Sequence, residues 1–270
     1  RQARLAQGTT MRQLAKKVGV SAAAISKYES GRNVPRPSIL LKLARELQVK
    51  MSFLTRDVTI SLAQPAFRKN RTLSERTQKA VIAKITDDLE KYETVESLFP
   101  QDRWTLFEVG LNKVESIEDA ENAAESLREL WKLGVGPIGD LTGCLEDRGV
   151  RVFKLTSVPR FDGFSCLMND RVPVIAYSAD IPGDRQRFTM AHELGHLILD
   201  VADVLDKEKA ANRFAGALLL PRATLLTELG HRRSQLSLQE LSLLKQKYGL
   251  SMQSTSRRAH ESGIIDEKTY

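Results

Sequence analysis

A chain of 270 residues with 41% hydrophobic side chains exceeds the usual size of one domain and can supply two or three cores. Only two cysteines occur, Cys144 and Cys166, without zinc-ribbon or redox spacing, and no apolar run approaches the ~18 residues of a membrane span. A disulfide scaffold and a membrane-spanning protein are thereby disfavoured, a cytoplasmic placement is expected, and the net charge of +7 directs attention to an anionic partner.

That charge is unevenly spread. Residues 1–57 hold twelve basic side chains against three acidic, whereas residues 87–129 hold thirteen acidic against four basic. The head alone therefore suits a phosphate backbone. Met11 to Val18 places Met11, Leu14, Ala15 and Val18 at helical spacing, and Gly19 supplies a left-handed turn. Ser21 then N-caps a second helix running to Glu29, and Pro37 opens a third with Ile39, Leu40, Leu43, Ala44 and Leu47 inward. Helix, short turn, helix and a packing helix is the layout of a helix-turn-helix module. The run Leu14-Ala15, Gly19-Val20-Ser21, Ile25-Ser26, Glu29, Gly31 and Pro35 resembles the framework of the phage-repressor-like (XRE, lambda-repressor-type) family over about fifty residues. The resemblance implies that helix Ser21–Glu29 enters the major groove of DNA with Ala22, Ala23, Ser26 and Lys27 outward. Ser21, Arg12 and Arg32 complete the expected DNA-binding set. The alanines at 22–24 depart from the polar side chains common in the family, and alanine reads no base by hydrogen bonds.

In the middle, residues 72–98 carry Val81, Ile85, Leu89, Tyr92 and Val95 at near-helical spacing with charges between them. One long amphipathic helix is expected, either a strut or a homodimer surface. Ser116-x-x-Asp119 reads as a capping box opening a helix through Ala120, Ala123, Leu127, Leu130 and Trp131. A further helix over Ile138–Asp147 has Leu141 and Leu145 inward. Val150–Leu155 alternates as a strand, and Gly163–Met168 and Val172–Tyr177 form a hairpin around Asn169-Asp170. Pro173 predicts that part of the second hairpin strand lacks a neighbour, leaving an edge on which an extended peptide can dock.

Arg185–Leu199 holds His192-Glu-Leu-Gly-His196 within apolar flanks, a pattern for a buried helix. Histidines four residues apart share a helix face, so two imidazole nitrogens reach one metal ion, expected to be Zn2+. Glu193 stands beside them as the base that takes a proton from the attacking water. A catalytic zinc site needs a third ligand. Glu208, opening a helix with Ala211, Phe214, Ala215 and Leu218 inward, can supply it if that helix folds back, with Asp206 as the fallback. Asn212, one turn on, could hold the free ring nitrogen of a histidine. Tyr177 or His231 is a candidate donor to the oxyanion. Residues 236–251 and Met252–Glu261 form two tail helices around Gly249-Leu250-Ser251, read as structural.

His192-Glu-Leu-Gly-His196, followed by Glu208-x-x-Ala-Asn-x-Phe-Ala and Leu218-Leu-Leu-Pro221, resembles the ImmA/IrrE family of zinc metallopeptidases, over roughly residues 118–265. The resemblance implies His192, His196 and Glu208 as metal ligands, Glu193 as general base, and a helix-turn-helix repressor as the cleaved protein in transcription regulation and stress response. The expected class is α+β. An all-α helix-turn-helix domain (1–56) and a helical linker (57–117) precede a zincin-like peptidase domain with a small β-sheet (118–221) and a helical tail (222–270). The competing reading is a non-catalytic regulator, or an antitoxin-like module, whose metal site is structural or sensory.

Overall fold

The structure, a computed structural model, describes residues 1–55, 60–63, 73–99, 110–268 and 270. These form two compact units, one built on the head and a long helix, the other on the remainder of the chain. The class is α+β, as the sequence predicts. No helix among the described residues is long and apolar enough to cross a membrane.

The first unit contains α1 (Gln2–Ala6), α2 (Met11–Val18), α3 (Ala22–Glu29), α4 (Pro37–Glu46), α5 (Met51–Thr55) and α6 (Glu75–Glu96). Its boundaries are set locally. Thr10 and Gln13 form a reciprocal capping box on α2, and Gly19 ends that helix at φ 81°, where a side chain would strain the backbone. Ser21 Oγ accepts the Ala24 amide at 3.1 Å to start α3, and Pro37 opens α4. Leu14, Ala15, Val18, Ile25, Leu43 and Leu47 form the small core. Against it a buried pair is closed, Arg4 Nε and Nη2 donating to Glu29 at 2.6 and 2.8 Å, with Nη1 donating to the Thr9 carbonyl. Arg4 thus leaves the head's free positive charge. Helix α6 packs against α1, Gln2 Nε2 donating to the Ala83 carbonyl at 3.5 Å, and buries a stripe that includes Val81, Ile85 and Leu89. That stripe stops short of the sequence expectation: Tyr92 is 37% and Val95 55% exposed.

The second unit begins with β1 (Asn112–Val114) and α7 (Ile117–Leu130), the latter opened by the predicted Ser116/Asp119 capping box. Ala120, Ala123, Leu127 and Trp131 point inward, but Leu130 is 63% exposed, because helical rotation turns it away from the face of Leu127. Helix α8 (Leu141–Glu146) is shorter than expected, since Asp140 caps it on the Gly143 amide. Strands β2 (Arg151–Leu155), β3 (Gly163–Met168) and β4 (Val172–Ser178) form a sheet of order β2-β4-β3. The β3–β4 turn uses positive φ at both Asn169 and Asp170, 51° and 55°, as a two-residue hairpin of this twist demands. β4 is the central strand. Pro173 precedes the first residue of β4 paired with β2, since that parallel register runs from Arg151↔Val174 to Leu155↔Ser178. The missing neighbour is local to that end, and β3 is an edge strand of the sheet, with Met168 bridged to Leu62.

Then come α9 (Gly183–Ile198), β5 (Leu199–Val201), α10 (Lys207–Leu219), α11 (Arg222–Leu229), α12 (Leu238–Tyr248) and α13 (Met252–Glu261). β5 pairs in parallel with β1, so Leu199 leaves the helix for a strand. Three-residue strands are too short to show a period, and neither was expected. Helix α11 was also missed. A buried cluster of charges ties α7, α10 and α13 together: Arg213 Nε and the Arg258 guanidinium both donate to the Glu121 carboxylate, Arg258 Nη2 at 2.8 Å.

Candidate metal centre

Helices α9 and α10 pack face to face, and one residue permits the close approach. A Cβ on Gly195 would stand 3.0 Å from the Phe214 ring and 3.4 Å from the Ala211 backbone, so glycine lets α10 lie against α9. Asp206 accepts the amides of Glu208 and Lys209 at 3.0 and 3.3 Å and starts α10. It is used as a cap, and the fallback role as a ligand does not arise. Glu208, in the first turn, points to the histidines.

Among the described residues, His192, His196 and Glu208 form a group able to hold a metal ion. The two Nε2 atoms are 3.0 Å apart, and Glu208 Oε2 and Oε1 lie 3.4 Å from His192 Nε2 and His196 Nε2 respectively. Ligands bonded at about 2.0–2.1 Å to a tetrahedral zinc ion stand about 3.3 Å from one another, so these separations fit such an ion. His192 is buried, while His196 and Glu208 keep 19% and 29% of their side-chain surface, so the group opens to solvent on one side. Hydrogen bonding to His192, then to His196, holds the Glu208 carboxyl well below the usual carboxylate range. At neutral pH it is an anion.

Glu193 is buried on the same helix, and Ser165 Oγ on β3 donates to its Oε2 at 2.9 Å. The sequence reading missed Ser165. Its only signal was a hydroxyl in an otherwise apolar strand, which does not reveal the facing helix. Next to it, burial pushes the Cys166 thiol up to about 12, so it supplies no nucleophile at neutral pH. Arg185, on the first turn of α9, reaches both carboxylate oxygens of Asp162 at 3.1 Å and ties the start of that helix to the residue before β3.

Other expected residues fall elsewhere or beside the group. Asn212 lies one turn beyond Glu208 and lines a cavity with Phe188. Tyr177 is buried in the core, where burial raises its hydroxyl and a hydrogen bond with Thr142 opposes that shift. His231 is exposed on the surface. Neither is among the three side chains able to hold the ion.

In the head, Arg12, Ser21, Ala23, Ser26, Lys27 and Arg32 are exposed. Ala22 corrects the expected outward set, because it is half-buried against the head's core. The Ser21 hydroxyl is engaged in capping α3.

Comparison with known families gives two matches. Residues 1–54 match a helix-turn-helix family model, and residues 145–260 match a peptidase family model described as the IrrE N-terminal-like domain. The second match includes both tail helices. Together they bear out the two resemblances seen in the sequence. No curated protein matches the chain.

Proposed function

We propose that this chain, a DNA-binding helix-turn-helix head joined to an IrrE-like metallopeptidase domain, is a zinc-dependent endopeptidase that controls transcription by cutting a repressor or partner protein. The observation that carries this reading is the convergence of two imidazole nitrogens and one carboxylate at separations of 3.0–3.4 Å, with a second carboxylate held beside them. Two nitrogens and an oxygen donor, open on one side, suit a catalytic zinc site better than a closed structural one.

His192, His196 and Glu208 would hold the ion. When bound, it supplies Lewis-acid polarisation of a carbonyl and a lowered pKa for water. Glu193 accepts the proton from the attacking water and passes it to the leaving amine. Ser165 Oγ donates to Glu193 Oε2 and fixes that carboxylate on its helix. Asn212, one turn from Glu208, would orient a histidine ring. The substrate backbone lies along the β3 edge, adding a strand through main-chain hydrogen bonds. In the head, Arg12, Lys27 and Arg32 neutralise phosphates while Ser21, Ala23 and Ser26 border the major groove. A chain so built works in the cytoplasm, in stress response, on a helix-turn-helix repressor.

Glu193→Gln tests the reading. The variant is expected to retain zinc, measured by metal analysis of the purified protein, and to lose about 10²–10⁴-fold in peptide turnover. Turnover equal to that of the unaltered protein would remove Glu193 from the chemistry and leave a regulator whose metal site is sensory.

A further inference from the structure

A cavity of about 250 Å³ opens one helical turn from the metal group, on both helices that build it. Its near wall is Phe188, four residues before His192 and with its ring centroid 6.4 Å from that imidazole, together with Asn212, four residues after Glu208. The far wall is α13, which contributes Gln253 and Arg257. The floor is bare because a Cβ on Gly216 would meet Arg258 Cδ at 2.6 Å.

The carboxylates near the cavity are turned to Arg213 and Arg258. Arg258 is buried and spent on Glu121, at 2.8 and 3.2 Å, and on the Leu220 carbonyl. Glu261 faces Arg213 at 3.4 Å and Arg258 at 3.7 Å. Arg257 remains: it is exposed, and among the described residues no carboxylate pairs with it. One guanidinium, neutral amides and an aromatic wall make a site for a single carboxylate on a short apolar stem. The volume suits such a side chain with water to spare, at about 30 Å³ per water.

We propose that this cavity is a specificity subsite that takes an aspartate or glutamate side chain of the substrate, one or two residues from the scissile bond. The proposal rests on the peptidase reading above. A helical turn is about 5.4 Å, and an extended peptide advances about 3.3 Å per residue, so a bound peptide crossing the metal group reaches the cavity within that span. A nucleic-acid backbone is a poorer occupant, because a lone cation in a recess does not track successive phosphates.

The zinc-loaded full chain is incubated with a mixed peptide library, and the cut products are sequenced by mass spectrometry. Acidic residues are expected to be enriched at one position flanking the cut, and Arg257→Glu is expected to shift the acidic-to-basic ratio there by about tenfold or more. An unchanged profile in Arg257→Glu overturns the proposal, and a loss of duplex-DNA affinity alongside it would assign Arg257 to phosphate instead. If the unaltered chain cuts nothing, the peptidase reading fails separately, and the same library is then panned against the protein for binding. Retention of acidic peptides that disappears in Arg257→Ala keeps the subsite; equal retention by both proteins discards it.

Discussion

In the head, Arg12, Lys27 and Arg32 are exposed on or beside helices that carry their own start signals, whereas in the second unit His192 is buried and, with His196, meets Glu208 only because α9 and α10 pack together. The head's functional groups need little from distant residues beyond a small core and the Arg4–Glu29 pair. The metal group needs Gly195 for close approach, Asp206 to aim α10, and Ser165 from a strand to hold Glu193. Damage should therefore spread differently. A surface change in the head alters binding and leaves folding alone, while a buried change in the second unit alters both.

The largest break in that contrast is Arg258→Ala. It leaves Glu121 buried with one partner fewer and should cost the second unit about 3–5 kcal/mol, read by urea unfolding with hydrogen exchange to localise the loss. A loss below about 1 kcal/mol would mean that the cluster does not hold α7, α10 and α13 together. The same cluster gives a pH dependence. Burial pushes the Glu121 carboxyl up, but Arg258 and Arg213 outweigh it and hold it below its usual range. A carboxyl depressed in the folded state stabilises above its unfolded pKa, and that stability is lost as pH falls through the folded value. Acid should thus unfold the second unit less steeply in Arg258→Ala than in the unaltered chain.

Zinc sharpens the comparison next. At about a hundred times its dissociation constant, the free ion should raise the stability of the second unit by about 2.7 kcal/mol and leave the head unchanged. Calorimetry with and without a chelator reads this, and an equal shift in both units would contradict a site confined to α9 and α10. Ser21→Ala is smaller. Loss of the α3 cap should cost the head about 1 kcal/mol without changing zinc content. The smallest effect on stability, within about 0.5 kcal/mol, is expected from Lys27→Ala. Its signature is instead in binding, where the slope of log affinity against log salt should fall by about 1. An unchanged slope would place Lys27 off the phosphates.

The head shows why some features were legible. Gly19, Ser21 and Pro37 act within a few residues of themselves, so their spacing carried α2 and α3 to their observed ends and α4 to its start. The paired histidines were equally local, since one helical turn fixes their common face. Elements without a local period escaped: β1, β5 and α11, along with the outward turn of Leu130 and the exposed end of the α6 stripe.

By itself the sequence determined the helices with caps, the hairpin turn at Asn169-Asp170, the His192–Glu193–His196 face and the carboxylate that could join it. Only the tertiary structure decided that Asp206 caps while Glu208 turns to the histidines, that Ser165 reaches Glu193, that β4 is central, and that Arg258 is buried while its neighbour Arg257 borders a cavity. The reason is the range of the interactions. Capping, turns and helix faces are set by residues within about four positions of one another, whereas a ligand group, a sheet order or a paired buried charge depends on which distant surfaces pack, and spacing along the chain does not encode that directly.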